Sequence, residues 1–164
     1  MAVKSPSHIQ PAIKRLLHEL RLQSQNSAPH VISLGPVSDE QLLSWEAIMR
    51  GVPNTAYEAG CWKLSIKFPE SYPLTPPNVN FDTTICHPNI QFKTGEICLD
   101  LLKSSWSPAY TISHTLDAIH QLLAYPAPDS PLNVDIASLL RNGDKVGAEA
   151  LVRFYCEEKR WSLR

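Results

Sequence analysis

The residues able to do chemistry gather in one stretch, Cys86-His87-Pro88-Asn89-Ile90-Gln91-Phe92-Lys93-Thr94-Gly95-Glu96-Ile97-Cys98-Leu99-Asp100. A Pro-broken polar loop runs there into an apolar segment, and Cys98 stands where the two meet. Pro88 disfavours helical geometry at His87, and Gly95 permits a turn that few other residues allow. A thiolate attacks and leaves readily, so a Cys held on fixed backbone suits carriage of an acyl group as a thioester. The competing reading of any free Cys is a small buried hydrophobe. His87 invites a Cys–His dyad of the thiol-hydrolase kind. Asn89 reads as a loop brace through its side-chain amide, and Asp129-Ser130-Pro131 as an ordinary turn.

Elements on both sides must hold this stretch. Met1 to Gln10 reads as a loose leader. From Pro11 the spacing of Ile13, Leu16, Leu17 and Leu20 predicts a helix, with Lys14, Arg15, Glu19 and Arg21 on its wetter side. Val31 to Leu34 is a short strand ending at Gly35-Pro36. Leu43, Trp45, Ala47 and Met49 alternate with Ser44, Glu46 and Arg50; Trp62, Leu64, Ile66 and Phe68 alternate with Cys61, Lys63, Ser65 and Lys67. Both patterns are those of half-buried strands, and Cys61 is expected on the face away from the core. Val79 and Phe81 give a shorter run, and the intervening turn signals favour an antiparallel meander. After the reactive stretch, Thr111 is a candidate N-cap for a helix lined by Ile112, Leu116, Ile119 and Leu123 and stopped by Pro126 and Pro128. A short helix from about Val134 to Leu140 closes at Asn142-Gly143. Asp144 then caps a last helix carrying Ala150, Leu151, Phe154 and Tyr155. Strands followed by helices make the class α+β.

The 164 residues suit one domain, 1–164, with its core at about 11–155. A net charge of −1 gives nucleic-acid binding no electrostatic support. No apolar run approaches the ~20 residues of a membrane span, so direct membrane insertion is not expected. The four Cys lack paired metal-ligand spacing, and no metal is expected. Reduced thiols are the default state, although the sequence leaves a Cys pair open.

His-Pro-Asn, a short Gly-containing loop and Ile97-Cys98-Leu99-Asp100 resemble the ubiquitin-conjugating enzymes. Ala12-Ile13-Lys14-Arg15, Gly35-Pro36, Phe68-Pro69-Glu70-Ser71-Tyr72-Pro73, Pro76-Pro77, Trp106-Ser107-Pro108-Ala109 and Asp129-Ser130-Pro131-Leu132 follow in the family's order. The resemblance spans roughly Pro11 to Tyr155. It implies a four-stranded antiparallel sheet with one helix before it and three after. It also implies that Cys98 accepts ubiquitin from an activating enzyme as a thioester and passes it to a Lys or Cys with the help of a RING-type ligase. ATP is used by the upstream activating enzyme, and no cofactor is implied for this chain.

By the same resemblance, Asn89 supports attack on the thioester, as an oxyanion donor or by shaping the loop. His87, Pro88 and Leu132 are structural. Asp129 and Ser130 form the gate that orients and helps deprotonate the acceptor, with Ser130 standing where many relatives carry an acid. Lys14 and Arg15 match positions that meet the activating enzyme and ligases; Leu74, Pro108 and Ala109 match the ligase-seating loops. The loop from Asn89 to Cys98 is one residue longer than in the commonest relatives, and Cys86 replaces a frequent aromatic. The longer loop resembles the peroxisomal, import-receptor-recycling branch. That branch implies a cytoplasmic enzyme held on the cytosolic face of the peroxisomal membrane by a tether protein, with Phe154, Tyr155 and Trp161 as the candidate surface unless they belong to the core. Two alternatives remain at this level: an enzyme for another ubiquitin-like modifier, and a non-catalytic ubiquitin-binding variant. The first is disfavoured by the lack of an insertion before Trp106, the second by Cys98 itself.

Overall fold

In the computed structural model, which describes residues 10–127 and 129–162, the period-2 segments become one antiparallel sheet in the order β1-β2-β3-β4. The strands are β1 (Val31–Pro36), β2 (Ser44–Arg50), β3 (Cys61–Lys67) and β4 (Asn78–Phe81). Register pairs Trp45 with Ile66, Ala47 with Leu64, and Leu64 with Phe81, so the apolar residues stack into one buried stripe across the strands. Helix α1 (Gln10–Gln25) precedes the sheet; α2 (Ile112–Ala124), α3 (Val134–Arg141) and α4 (Lys145–Glu158) follow it, and a 3₁₀ turn spans Asp100–Leu102. This is the expected α+β fold, with one helix before the sheet and three after. The proposed leader up to Ile9, Pro128, and the final Leu163 and Arg164 lie outside the described residues. Gln10 is not leader but the first residue of α1.

The caps form by local chemistry. The Thr111 hydroxyl accepts from the His114 N–H and the Asp144 carboxylate from the Gly147 N–H, starting α2 and α4. Gly143 at φ 75° ends α3 in a conformation that glycine tolerates without strain. Ile112, Leu116, Ile119 and Leu123 bury one face of α2 as their spacing predicts. In α4 the buried residues are instead Ala148, Val152 and Cys156, and Ala150 and Phe154 are exposed.

Two further expectations are corrected. Cys61 lies on the face opposite Trp62 but is only 6% exposed, because the chain returns after α4 and the Trp161 N–H donates to the Cys61 carbonyl at 2.9 Å. The buried face of α1 is Ala12, Leu16 and Glu19, with Leu17 exposed. Glu19, assigned to the wet side by its charge, is 2% exposed. Its Oε1 takes the Arg15 guanidinium at 2.6 Å and the Tyr72 hydroxyl at 2.7 Å, while Oε2 takes the Ile112 N–H at 2.7 Å. One carboxylate thus joins α1, the loop before β4 and the start of α2, and both of its buried oxygens have donors.

Removing the carboxylate leaves the Arg15 charge and the Ile112 N–H without their partner. Glu19→Ala is therefore expected to destabilise the protein by roughly 3 kcal/mol. Urea unfolding should show a lower midpoint at unchanged slope; an unchanged midpoint removes the hub assignment.

Candidate active site

Cys98 ends a hairpin that begins at Asn89. The Cys98 N–H donates to the Asn89 carbonyl at 2.8 Å, Ile90 pairs with Ile97, and the Gln91 N–H donates to Glu96 O at 2.8 Å. Gly95 closes the turn at φ 71°. It also lies against β4: the Phe81 N–H donates to Gly95 O at 3.0 Å, and a Cβ on residue 95 would sit 1.9 Å from the Phe81 carbonyl oxygen. Only glycine fits there, so the hairpin is fastened to the sheet edge by the residue that shapes its turn.

The other side of Cys98 is built by Asn89, which is fully buried. Its Nδ2 donates to Ala127 O at 2.7 Å and to Ser130 O at 3.2 Å, and its Oδ1 accepts the Ala127 N–H at 2.8 Å. Both amide hydrogens are engaged, as is the oxygen. Pro88 O accepts the N–H groups of Leu132 (2.8 Å) and Asn133 (3.1 Å). Ala127, Ser130, Leu132 and Asn133 are thereby pinned to the His-Pro-Asn turn, and Asp129 and Ser130 are exposed.

His87 is fully buried and has both ring nitrogens occupied: Nε2 donates to Leu122 O at 2.9 Å and Nδ1 accepts the Asn89 N–H at 3.0 Å. Burial pulls its pKa down to about 4, with the Leu122 carbonyl acting in the opposite sense. A neutral ring with no free lone pair is not placed to take a proton from a thiol. Because the folded pKa is depressed, the unfolded chain binds the proton more tightly. The stability this group contributes is present above pH 6.5 and is lost as the pH falls from there toward about 4. His87→Gln is expected to flatten that part of the acid limb in a melting-temperature profile; parallel profiles for the two proteins would contradict it.

The four thiols are not equivalent. Cys61, Cys86 and Cys156 are buried, and burial raises the pKa of each, that of Cys86 to about 12 and that of Cys156 to about 11. All four are free, and Cys98 is the partly exposed one.

The other sequence-derived residues separate into two groups. Lys14, Leu74 (76% exposed), Pro108 and Ala109 are exposed. The loops that carry Leu74 and Pro108 are tied together by the Trp106 indole N–H, which donates to Pro73 O at 2.8 Å. Arg15 is not a free surface cation, since besides Glu19 it donates to Tyr110 O at 3.0 Å. Phe154 is 54% exposed and contacts Tyr155, whose ring meets Phe92 of the hairpin turn edge-on at 5.0 Å. Trp161 is half-buried against the start of β3, and among the described residues no aromatic contact joins it to that pair. Sequence reasoning missed Glu19 and the backbone of Ala127. Glu19 was signalled by its i+3 spacing from Leu16 on the face that begins at Ala12; Ala127 carries no side-chain signal.

The family model of the ubiquitin-conjugating enzymes matches residues 15–155. The chain belongs to the ubiquitin-conjugating enzyme family. Among its relatives, the ubiquitin-conjugating enzyme E2 PEX4 of Gibberella zeae is 46% identical over 151 residues, covering 90% of this chain and 87% of that protein. The ubiquitin-conjugating enzyme E2 pex4 of Dictyostelium discoideum is 49% identical over 141 residues, with 86% and 94% covered. A crystal structure of the H. polymorpha ubiquitin-conjugating enzyme Pex4p, in complex with the soluble domain of Pex22p, superposes with a TM-score of 0.86 at 36% identity, covering 92% of this chain and 99% of that one. The expected family and its peroxisomal branch agree with these names. Among the described residues no group of three or more His, Cys, Asp or Glu is arranged to hold a metal ion, and no helix is long and apolar enough to cross a membrane.

Proposed function

We propose that this enzyme carries ubiquitin as a thioester on Cys98 and transfers it to a Lys or Cys of a substrate, working with an activating enzyme and a RING-type ligase. The observation that carries this reading is Cys98 itself, the partly exposed thiol, held by the Asn89 carbonyl at the end of a fastened hairpin. In charging, the Cys98 thiolate attacks the carbonyl of the activating enzyme's ubiquitin thioester, and that enzyme's cysteine leaves as thiolate. In discharge, the acceptor nitrogen or sulfur attacks the same carbonyl, the Cys98 thiolate leaves, and the acceptor's proton passes to solvent or to the gate. Asn89 acts as the brace of that gate. Asp129 and Ser130 meet the acceptor, which must lose a proton: a free Lys has a pKa of ~10.4 and a free Cys one of ~8.5, so a thiol needs less help.

We further propose recruitment to the cytosolic face of the peroxisomal membrane, for import-receptor recycling, through a protein tether. The PEX4 names of the relatives and the Pex22p domain in the solved H. polymorpha complex support this. Phe154 and Tyr155 are its candidate contacts on this chain, as part of a patch that would bury about 800 Å². Trp161 stands apart from them and is the weaker member of the set.

Charging assays test the first part. With ubiquitin, its activating enzyme and ATP, a thiol-sensitive adduct of one ubiquitin is expected; charging only with another modifier and that modifier's own activating enzyme would reassign the enzyme. Fractionation tests the second. Membrane association in cells with intact peroxisomes should survive Cys98→Ala and fail with Phe154→Arg. An even cytosolic spread of the wild type would remove the peroxisomal role and leave the conjugating chemistry standing.

A further inference from the structure

The turn between β2 and β3, residues 51–60, is built more firmly than the joining of two strands requires. Pro53, Asn54, Glu58 and Ala59 are exposed, but Tyr57 among them is only 7% exposed. The Thr55 hydroxyl bridges the turn, donating to Val52 O at 2.7 Å and accepting the Tyr57 N–H at 3.1 Å. The Gly60 N–H closes it on Tyr57 O at 2.8 Å, and the Gly51 N–H donates to Gly60 O at 2.9 Å. The ring so held meets two others, with centroids 6.2 Å from Trp62 and 5.6 Å from His87. Its hydroxyl donates to the Cys86 carbonyl at 2.8 Å in the protein interior. Burial holds the phenol pKa well above its ordinary value, with Cys86 and Cys156 acting in the same sense, so the hydroxyl keeps the proton it donates.

That bond completes a series. The carbonyls of residues 86–89 each have a donor: Cys86 O the Tyr57 hydroxyl, His87 O the Ile90 N–H at 3.2 Å, Pro88 O the Leu132 and Asn133 N–H groups, and Asn89 O the Cys98 N–H. The last three are held by backbone, the first by a side chain that arrives from 29 residues upstream. The series ends on the reactive residue, and its final member is the Asn89 whose amide binds Ala127 and Ser130. A buried carbonyl stripped of its donor is costly, and the peptide that carries it shifts to find another partner. Here that peptide is Cys86–His87, the start of the His-Pro-Asn turn.

We infer that Tyr57 is a positioning residue for the transfer step: its hydroxyl fixes the start of the His-Pro-Asn turn and, through it, the Asn89 side chain that braces the gate. The inference rests on the conjugating function proposed above. Charging asks for an accessible thiol on Cys98. Discharge asks in addition for a braced gate where the acceptor arrives, so loss of the hydroxyl belongs to discharge. It belongs to the maximal rate rather than to KM, because a side chain buried behind the turn acts on the acceptor only through the residues it holds.

Tyr57→Phe keeps the ring and removes the hydroxyl. With the whole enzyme charged with ubiquitin, single-turnover discharge to free lysine is expected to reach a maximal rate about tenfold below wild type, the rate equivalent of one hydrogen bond. The KM for lysine and the rate of charging should stay as in wild type. The decisive readout is a double-mutant cycle on the maximal rate. If Tyr57 acts through Asn89, Tyr57→Phe takes nothing further from the Asn89→Ala protein. Ile66→Val, which trims a fully buried side chain of β3, supplies a variant of lowered stability outside the turn. Assayed below every melting transition, it should discharge as wild type does. Discharge of Tyr57→Phe at the wild-type rate overturns the inference, as does the same loss repeated in the Asn89→Ala background. Equal slowing by Ile66→Val would make the effect one of stability alone and overturn it too, and so would an equal loss in charging and discharge. Failure of the wild type to charge with ubiquitin would count against the conjugating function, an outcome separable from each of these.

Discussion

Cys98→Ala is expected to form no ubiquitin adduct under conditions where the wild type charges completely, while Cys61→Ala charges as wild type does. The contrast follows from exposure. Three of the four thiols are buried, with burial raising the pKa of each, so neither their position nor their ionisation suits attack. Cys98→Ser should trap ubiquitin as an oxyester that persists in thiol reductant, because an alkoxide is a poorer leaving group than a thiolate. The readout is a gel with and without reductant. Undiminished charging of Cys98→Ala would remove the nucleophile assignment outright.

Asn89→Ala is expected to lose both stability and rate. The substitution strips partners from Ala127 O, Ser130 O and Ala127 N–H at a buried site. At roughly 1 kcal/mol for each bond lost, the deficit is about 3 kcal/mol. For a domain of this size that lowers the melting temperature by roughly 6–12 °C. With Ala127 and Ser130 no longer held to the His-Pro-Asn turn, discharge to free lysine should slow on the order of 10²-fold, the scale of a misplacement of about an ångström. A variant that melts like the wild type and charges normally, yet discharges slowly, would show instead that the amide turns to stabilise the oxyanion. In the geometry described above the amide has no hydrogen free to do so.

These residues also mark where sequence reading reaches its limit. Alternation along Trp62, Leu64 and Ile66, and the caps at Thr111 and Asp144, were legible because each depends on spacing or on a partner within four residues. The reactive stretch was legible because its unusual residues are contiguous. What escaped depends on distant chain. Asn89 could be recognised as a brace, but its partners are backbone groups 38 and 41 residues away. Glu19 was assigned to water by its charge, although the Tyr72 hydroxyl and the start of α2, 53 and 93 residues on, compensate its burial. Cys61 was expected on the wet face of β3 because nothing local announces that the chain returns to it after α4. The helical face of α1 was misjudged for the same reason, since long-range packing selected Ala12 and Glu19 over the more hydrophobic Leu17.

The unequal burial of the thiols has a practical side. A maleimide or iodoacetamide reagent added to the folded protein at neutral pH should modify a single cysteine, while the denatured chain offers four. The number of labels per molecule, read by intact-mass spectrometry after a short pulse, therefore counts folded and unfolded chains in a mixture without any engineered probe. Ubiquitin on Cys98 would block the one fast-reacting position, so the same measurement separates charged, uncharged and unfolded enzyme as populations carrying zero, one and four labels.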